Sequence, residues 1–128
     1  MEHRHLDINL ISANGLRNVN RLHKMSVYAV VTINGDAQTE QKTRVDEHCG
    51  SNPVWKKCSM TFNVDDAAAL VIRLVSDRRR HLFPDKDIGK VVVSIQELLA
   101  SKEEFFVREV QLPDGQPQGT LILNFKIR

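Results

Sequence analysis

The sequence predicts an all-β fold, an antiparallel sandwich or barrel of eight short strands. Three observations carry this. Apolar residues recur with a period of two rather than 3.6. Runs of strand-forming residues stop at Gly, Pro, Asn and Asp clusters. Strands and helices do not alternate, as a parallel sheet would require. The chain has 128 residues, 41% hydrophobic and 27% charged, which fits one domain over residues 1–128 with its own core. Such a composition excludes a disordered tail, a collagen-like fibre and a coiled coil. No apolar run approaches the roughly 20 residues a bilayer-spanning helix needs.

Leu6, Ile8 and Leu10 alternate with His5, Asp7 and Asn9, a strand with one face on a core. Ser26 to Asn34 is rich in Val, Tyr, Thr and Ile and ends at the turn signal Asn34-Gly35-Asp36. Gln38 to Val45 reads as a polar strand with Lys42 and Arg44 on one face. In Val54 to Val64, Met60, Phe62 and Val64 share one parity and Trp55 has the other, so a β-bulge is expected near Lys57-Cys58. Leu70 to Ser76 is apolar on both faces and reads as a central strand. Ile88 to Ile95 and Phe105 to Leu112 follow. Pro113-Asp114-Gly115 turns the chain into the last strand, where Leu121, Leu123, Phe125 and Ile127 alternate with Thr120, Ile122, Asn124 and Lys126. The one helix expected is short, Ser94 to Ala100, with Ser94 as cap. Asp65-Asp66-Ala67-Ala68 suits a further helical turn.

No apolar segment behind Met1-Glu2-His3-Arg4-His5 suits a signal peptide, so Met1 reads as a native start and a cytosolic address is expected. Cys49 and Cys58 are too few for a disulfide framework and lack C-x-x-C spacing; free thiols are expected. The five histidines, His3, His5, His23, His48 and His81, show no metal-ligand spacing and read as scattered surface residues. Neither a G-x-S-x-G elbow nor a P-loop is present, and nothing favours a carboxylate pair, so a non-enzymatic protein without a small-molecule substrate is expected.

The net charge is only +2, but the basic residues cluster. Arg78-Arg79-Arg80 is one block, and Arg17, Arg21 and Lys24 are another with no acid among them. Lys42 with Arg44, and Lys56 with Lys57, form two more pairs. Nucleic-acid binding is not expected: aromatic residues are only 5% and no reader motif appears.

The strongest constellation joins several segments. Lys42-Thr43-Arg44-Val45 precedes Asn52-Pro53-Val54-Trp55 and a strand ending Met60-Thr61-Phe62. Then come Val75-Ser76-Asp77, a basic loop, and Asp87-Ile88-Gly89-Lys90-Val91. In order and spacing, with the opening Leu10-Ile11-Ser12-Ala13-Asn14-Gly15-Leu16 and Val27-Tyr28-Ala29-Val30, this resembles the C2 domain over nearly the whole chain. The resemblance implies an eight-stranded C2-type β-sandwich of the second (type II) topology. It is nearest to the small plant proteins that include cold- and stress-responsive members and partners of copines that restrain defence and cell death. Asn52-Pro53-Val54-Trp55 is expected to position a strand and perform no chemistry.

C2 domains hold calcium with carboxylates from their first and third loops. Carried over, those positions fall on or near Asn20 and Ser26, and on Asp77, Arg79 and Lys86. Only Asp77 keeps a carboxylate, with Asp85 and Asp87 beside the last position. Calcium takes six to eight oxygen ligands, and two unit charges about 4 Å apart interact by roughly 4 kcal/mol at an effective dielectric near 20. An arginine in place of an aspartate therefore repels the ion. No cofactor and no firm metal site are expected; Asp77, Asp85 and Asp87 are candidates for one weakly held calcium.

The resemblance then implies a calcium-independent, or weakly calcium-dependent, module that binds anionic phospholipid, peripheral to the plasma membrane on its cytoplasmic side and acting in plant stress or defence signalling. Its candidate lipid residues are Arg17, Arg21, Leu22 and Lys24 in the first loop and Arg78, Arg79, Arg80, Leu82, Phe83 and Lys86 in the third. Each Lys or Arg near an anionic leaflet contributes about 1 kcal/mol, and an apolar pair flanked by arginines suits shallow insertion; the other reading folds Leu82 and Phe83 back on the sandwich. Lys42 and Arg44, joined by Lys56 or Lys57, form either a headgroup-binding face or a solvated one. The alternative function is a protein-interaction adaptor for a partner such as a copine, which would need an apolar patch elsewhere.

Overall fold

A computed structural model describes residues 4–20, 22–56, 58–65 and 67–128. Eight strands run β1 His5–Asn14, β2 Val27–Ile33, β3 Asp36–Lys42, β4 Ser59–Asn63, β5 Ala69–Ser76, β6 Lys86–Ser94, β7 Phe105–Gln111 and β8 Pro117–Ile127. Every strand pair is antiparallel, in the order β3-β2-β5-β6-β7-β8-β1-β4. The first strand sits between the last and β4, as the type II order requires. The ribbon folds in the middle: β6 and β7 share one register pair, Lys90 with Gln111. Each four-stranded half then faces the other over one core holding Leu6, Ile8, Leu10, Val27, Ile72, Leu74 and Leu123. At the opposite seam Gln41 Nε2 donates to the Thr61 carbonyl at 2.8 Å, linking end strands β3 and β4 and nearly closing the sandwich.

Alternation sets which residues are buried. Leu6, Ile8 and Leu10 point inward, and then the β1 register against β8 slips at Ile11, so Ala13 rather than Ser12 is buried next. Apolar β5 lies between β2 and β6, as its two-sided pattern predicts. Asn34 and Gly35 both take positive φ, 54° and 73°, the turn that matches a twisted hairpin. Asn34 Oδ1 also accepts from the Ala68 and Ala69 N–H groups. Helix α1, Ile95–Ala100, starts where Ser94 Oγ accepts from the Gln96 N–H at 3.1 Å.

Two differences from the expected strand bounds bear on the loop end. β3 ends at Lys42, so Arg44 lies beyond it: Thr43 turns inward, its Oγ1 accepting from the Ala29 N–H and donating to the Arg44 carbonyl. β4 begins at Ser59, not Val54. Val54 makes an isolated bridge to Ser12, and the chain leaves the ladder before Ser59. That departure lets Trp55, Met60 and Phe62 all be buried despite opposite parity; the bulge expected at Lys57-Cys58 includes Lys57, which lies outside the described residues. His3, Arg21 and Asp66 lie outside them too, while Ala67 N–H donates to the Val64 carbonyl in a turn.

Asn52-Pro53-Val54-Trp55 is structural throughout. Asn52 Oδ1 accepts from the Gly15 N–H, the Val54 N–H donates to Asp46, and the Trp55 indole donates to the Val27 carbonyl at 3.2 Å. Cys49 and Cys58 are free and half-buried. Burial pushes the Cys49 thiol up to about 11 and raises that of Cys58.

Candidate functional site

Three loops meet at one end of the sandwich: residues 15–26 after β1, 43–58 after β3, and 77–85 after β5. Hydrogen bonds tie them together. The Asp77 N–H donates to the Ser26 carbonyl, Ser76 Oγ donates to Asn20 Oδ1, and the His48 N–H donates to Ser26 Oγ. Arg80 reaches Glu47 of the second loop at 2.6 Å.

The third loop winds through a one-turn 3₁₀ helix, Arg79–His81. Asp77 starts the turn: its Oδ1 accepts from the Arg79 N–H at 3.0 Å and from Nε at 3.1 Å, and its Oδ2 from the guanidinium NH2 at 3.0 Å. This bidentate fork holds the Asp77 carboxyl below the usual carboxylate range. Asp85 is engaged as well, accepting from the Arg78 N–H at 3.1 Å and from the Tyr28 hydroxyl at 2.6 Å. Burial, then that bond to a carboxylate, pushes the Tyr28 phenol up to about 12. Asp87 faces away toward Arg73, 3.7 Å off.

These oxygens do not fit a calcium ion. Asp77 and Asp85 spend their oxygens on protein donors, and the first-loop positions Asn20 and Ser26 are neutral and already accept hydrogen bonds. A guanidinium supplies to Asp77 the positive charge that a divalent ion would bring. Among the described residues no three His, Cys, Asp or Glu side chains converge as a metal group.

The same turn displays apolar side chains. Leu82 caps it in the left-handed conformation, φ 61°, and is 93% exposed; Phe83 is 60% exposed. Arg78 holds Phe83 in place, its Nε donating to the Pro84 carbonyl at 2.9 Å and its guanidinium 5.7 Å from the ring centroid. In the first loop Leu22 is 89% exposed. Leu82 and Leu22 are the two most exposed large apolar side chains among the described residues, and they stand on adjoining loops. The alternative of Leu82 and Phe83 folded back on the sandwich is not what this structure shows.

The loops are joined by a contact the sequence does not announce. His23 and His81, expected to be scattered, stack with centroids 3.7 Å apart and planes 5° from parallel. Beside them a groove of about 340 Å³ is lined by Val19, Asn20, Leu22, Arg78, Phe83 and Lys86. Arg17 and Lys86 border the adjoining hollow. Among the described residues Arg17, Lys24 and Lys86 stand in no ion pair, whereas Arg79 and Arg80 do. The arginine triplet is thus divided: Arg79 and Arg80 pair with carboxylates, and Arg78 is bound to backbone.

Lys42, Arg44 and Lys56 converge on a separate groove of about 220 Å³ with Trp55, Cys58 and Ser59. A third feature was hidden in β7. Val92, Phe105 and Val107 are exposed, and Val92 and Val107 border a hollow of about 440 Å³ where β6 and β7 part. No helix among the described residues is long and apolar enough to cross a membrane.

The sequence pattern of the C2 domain matches residues 4–109. The chain is 44% identical to the Arabidopsis thaliana "Protein SRC2 homolog" over 98% of its own length and 41% of that protein's. It is 31% identical to "Elicitor-responsive protein 3" of Oryza sativa subsp. japonica over 71% of its own length and 60% of that protein's. The chain thus spans less than two-thirds of either relative. Its backbone superposes on a C2 domain of plant Extended Synaptotagmin 1 with a TM-score of 0.81, covering 97% of this chain and 93% of that one at 17% identity.

Proposed function

The chain belongs to the C2 domain family, and we propose that its three-loop end docks on anionic phospholipid membranes without calcium. The carrying observation is the pairing of exposed Leu22, Leu82 and Phe83 with Arg17, Lys24 and Lys86, cations in no ion pair among the described residues. Cations draw the loop end to an anionic leaflet, each adding about 1 kcal/mol near the surface. The apolar tips then enter the headgroup boundary. Exposed ion pairs contribute little in water, so Arg80, whose pair with Glu47 is open to solvent on both sides, can exchange it for a lipid phosphate at small cost. Lys42, Arg44 and Lys56 offer a second contact for a headgroup. The protein acts as a peripheral, non-enzymatic module on the cytoplasmic face of the plasma membrane; its likeness to "Elicitor-responsive protein 3" supports a role in elicitor responses.

Co-sedimentation with phosphatidylserine vesicles, against phosphatidylcholine vesicles and from low to high salt, tests this. Binding confined to the anionic vesicles and falling steeply with salt is expected. Equal binding to both, or none, overturns it.

A second reading has its own observation. Val92, Phe105 and Val107 give the β6–β7 seam an apolar patch remote from the loops, suited to a protein partner such as a copine. Val107→Asp should abolish capture of that partner and leave vesicle binding unchanged.

A further inference from the structure

We propose that the His23–His81 stack is a proton-coupled latch over a phosphate subsite, so that the groove between the first and third loops binds a phospholipid headgroup more tightly as pH falls. The inference rests on the membrane-docking reading and adds a site and a regulator to it.

The geometry makes the coupling. Parallel imidazoles 3.7 Å apart bridge two loops otherwise tied near the strand ends. Imidazole is the side chain whose charge ordinarily changes between pH 5 and 8. Two imidazolium rings stacked so closely repel unless an anion lies against both. The groove beside them adds Arg78 and Lys86, and among its described lining residues there is no carboxylate. Acids of the neighbouring segments are engaged elsewhere: Asp77 by Arg79, Asp85 by Tyr28 and the Arg78 N–H, Glu47 by Arg80, and Asp87, which borders the adjoining hollow, by Arg73. No described residue of the groove wall thus neutralises a doubly protonated pair, and an incoming phosphate does. Val19, Leu22 and Phe83 give the groove apolar walls beside the glycerol end of a lipid. The sign follows from linkage: if the bound state holds more protons on His23 and His81 than the free state, affinity rises as pH falls.

Phosphatidylglycerol vesicles provide the test, because their phosphodiester charge is constant between about pH 5 and 8, the range in which imidazole titrates. Wild type is expected to bind about tenfold more tightly at the acid end of that range. His23→Gln/His81→Gln should lose the rise, its affinity differing by less than about twofold between the two ends of that range. Short-chain phosphatidylglycerol and inorganic phosphate, each titrated against the imidazole NMR signals, separate a lipid headgroup from free phosphate; the lipid is expected to move both histidines at lower concentration. A flat wild-type profile, or a double variant that keeps the rise, overturns the latch while leaving membrane docking intact. Absence of vesicle binding at every pH overturns both.

Discussion

The Arg79 guanidinium grips both carboxylate oxygens of Asp77, at 3.1 and 3.0 Å, and its own backbone N–H completes the clasp. An aspartate placed where relatives use one for a metal is thus satisfied within its own loop. Arg79 stays largely in water while Asp77 is mostly covered, so the pair fixes the loop's shape more than it stabilises the fold.

The clasp has an acid limb. Arg79 lowers the Asp77 carboxyl below its unfolded value, so the stabilisation is fully present above about pH 4, the ordinary carboxylate range, and is lost as pH falls through the lowered folded value. Arg79→Ala should move the acid-unfolding midpoint upward by a few tenths of a pH unit and leave the unfolding midpoint at neutral pH nearly unchanged. Acid titration followed by circular dichroism checks both.

Restoring carboxylates should restore an ion. Arg79→Asp/Lys86→Asp removes the clasp and places acids at the two third-loop positions that depart from the calcium-binding pattern. Calcium at a hundred times the variant's Kd stabilises by about 2.7 kcal/mol, a rise in Tm of roughly 10 °C for a domain of this size. Wild type should show no shift in the same calcium titration by differential scanning fluorimetry.

The apolar tips should matter to membranes and not to folding. Leu22→Asp and Leu82→Asp alter side chains that are 89% and 93% exposed, so Tm should hold within about 2 °C. Burial of a leucine is worth up to about 1.5–3 kcal/mol; partial insertion makes a loss of about tenfold per residue in vesicle affinity the expected result. Vesicle titration by tryptophan fluorescence or sedimentation measures it.

Gly89 closes the fold at its thinnest join. A Cβ there would lie 2.6 Å from Val110 Cγ1 and 2.7 Å from the Gln111 carbonyl, beside the one pair linking β6 to β7. Gly89→Ala should cost about 1–3 kcal/mol in urea unfolding; an unchanged midpoint would show that the seam yields freely.

The fold was legible because alternation is a local property. Each strand declares its buried face by its own residues, and Asn34-Gly35 and Ser94 declare the turn and cap that end two of them. The parity conflict at Trp55 was visible, but not how the chain resolves it: β4 starts only at Ser59, with Val54 in an isolated bridge, and the bulge expected at Lys57-Cys58 includes a residue outside the described ones. The loop end was half legible. Basic residues, the exposed Leu82-Phe83 pair and the missing carboxylates were all visible as a list, but which cations are paired depends on approach between loops. Arg80 meets Glu47 from another loop, and His23 likewise meets His81 across a loop boundary. No spacing rule announces such contacts. The patch at Val92, Phe105 and Val107 was not legible because alternation marks two faces without saying which stays uncovered where β6 and β7 diverge.

The central claim is that protein cations stand in for a divalent ion at the loop end. Vesicle affinity measured for wild type on phosphatidylserine membranes, in millimolar calcium and again in chelator, tests it most directly. The two affinities should agree within about twofold. A tenfold or greater loss on chelation would mean that calcium displaces Arg79 from Asp77, and would contradict the account.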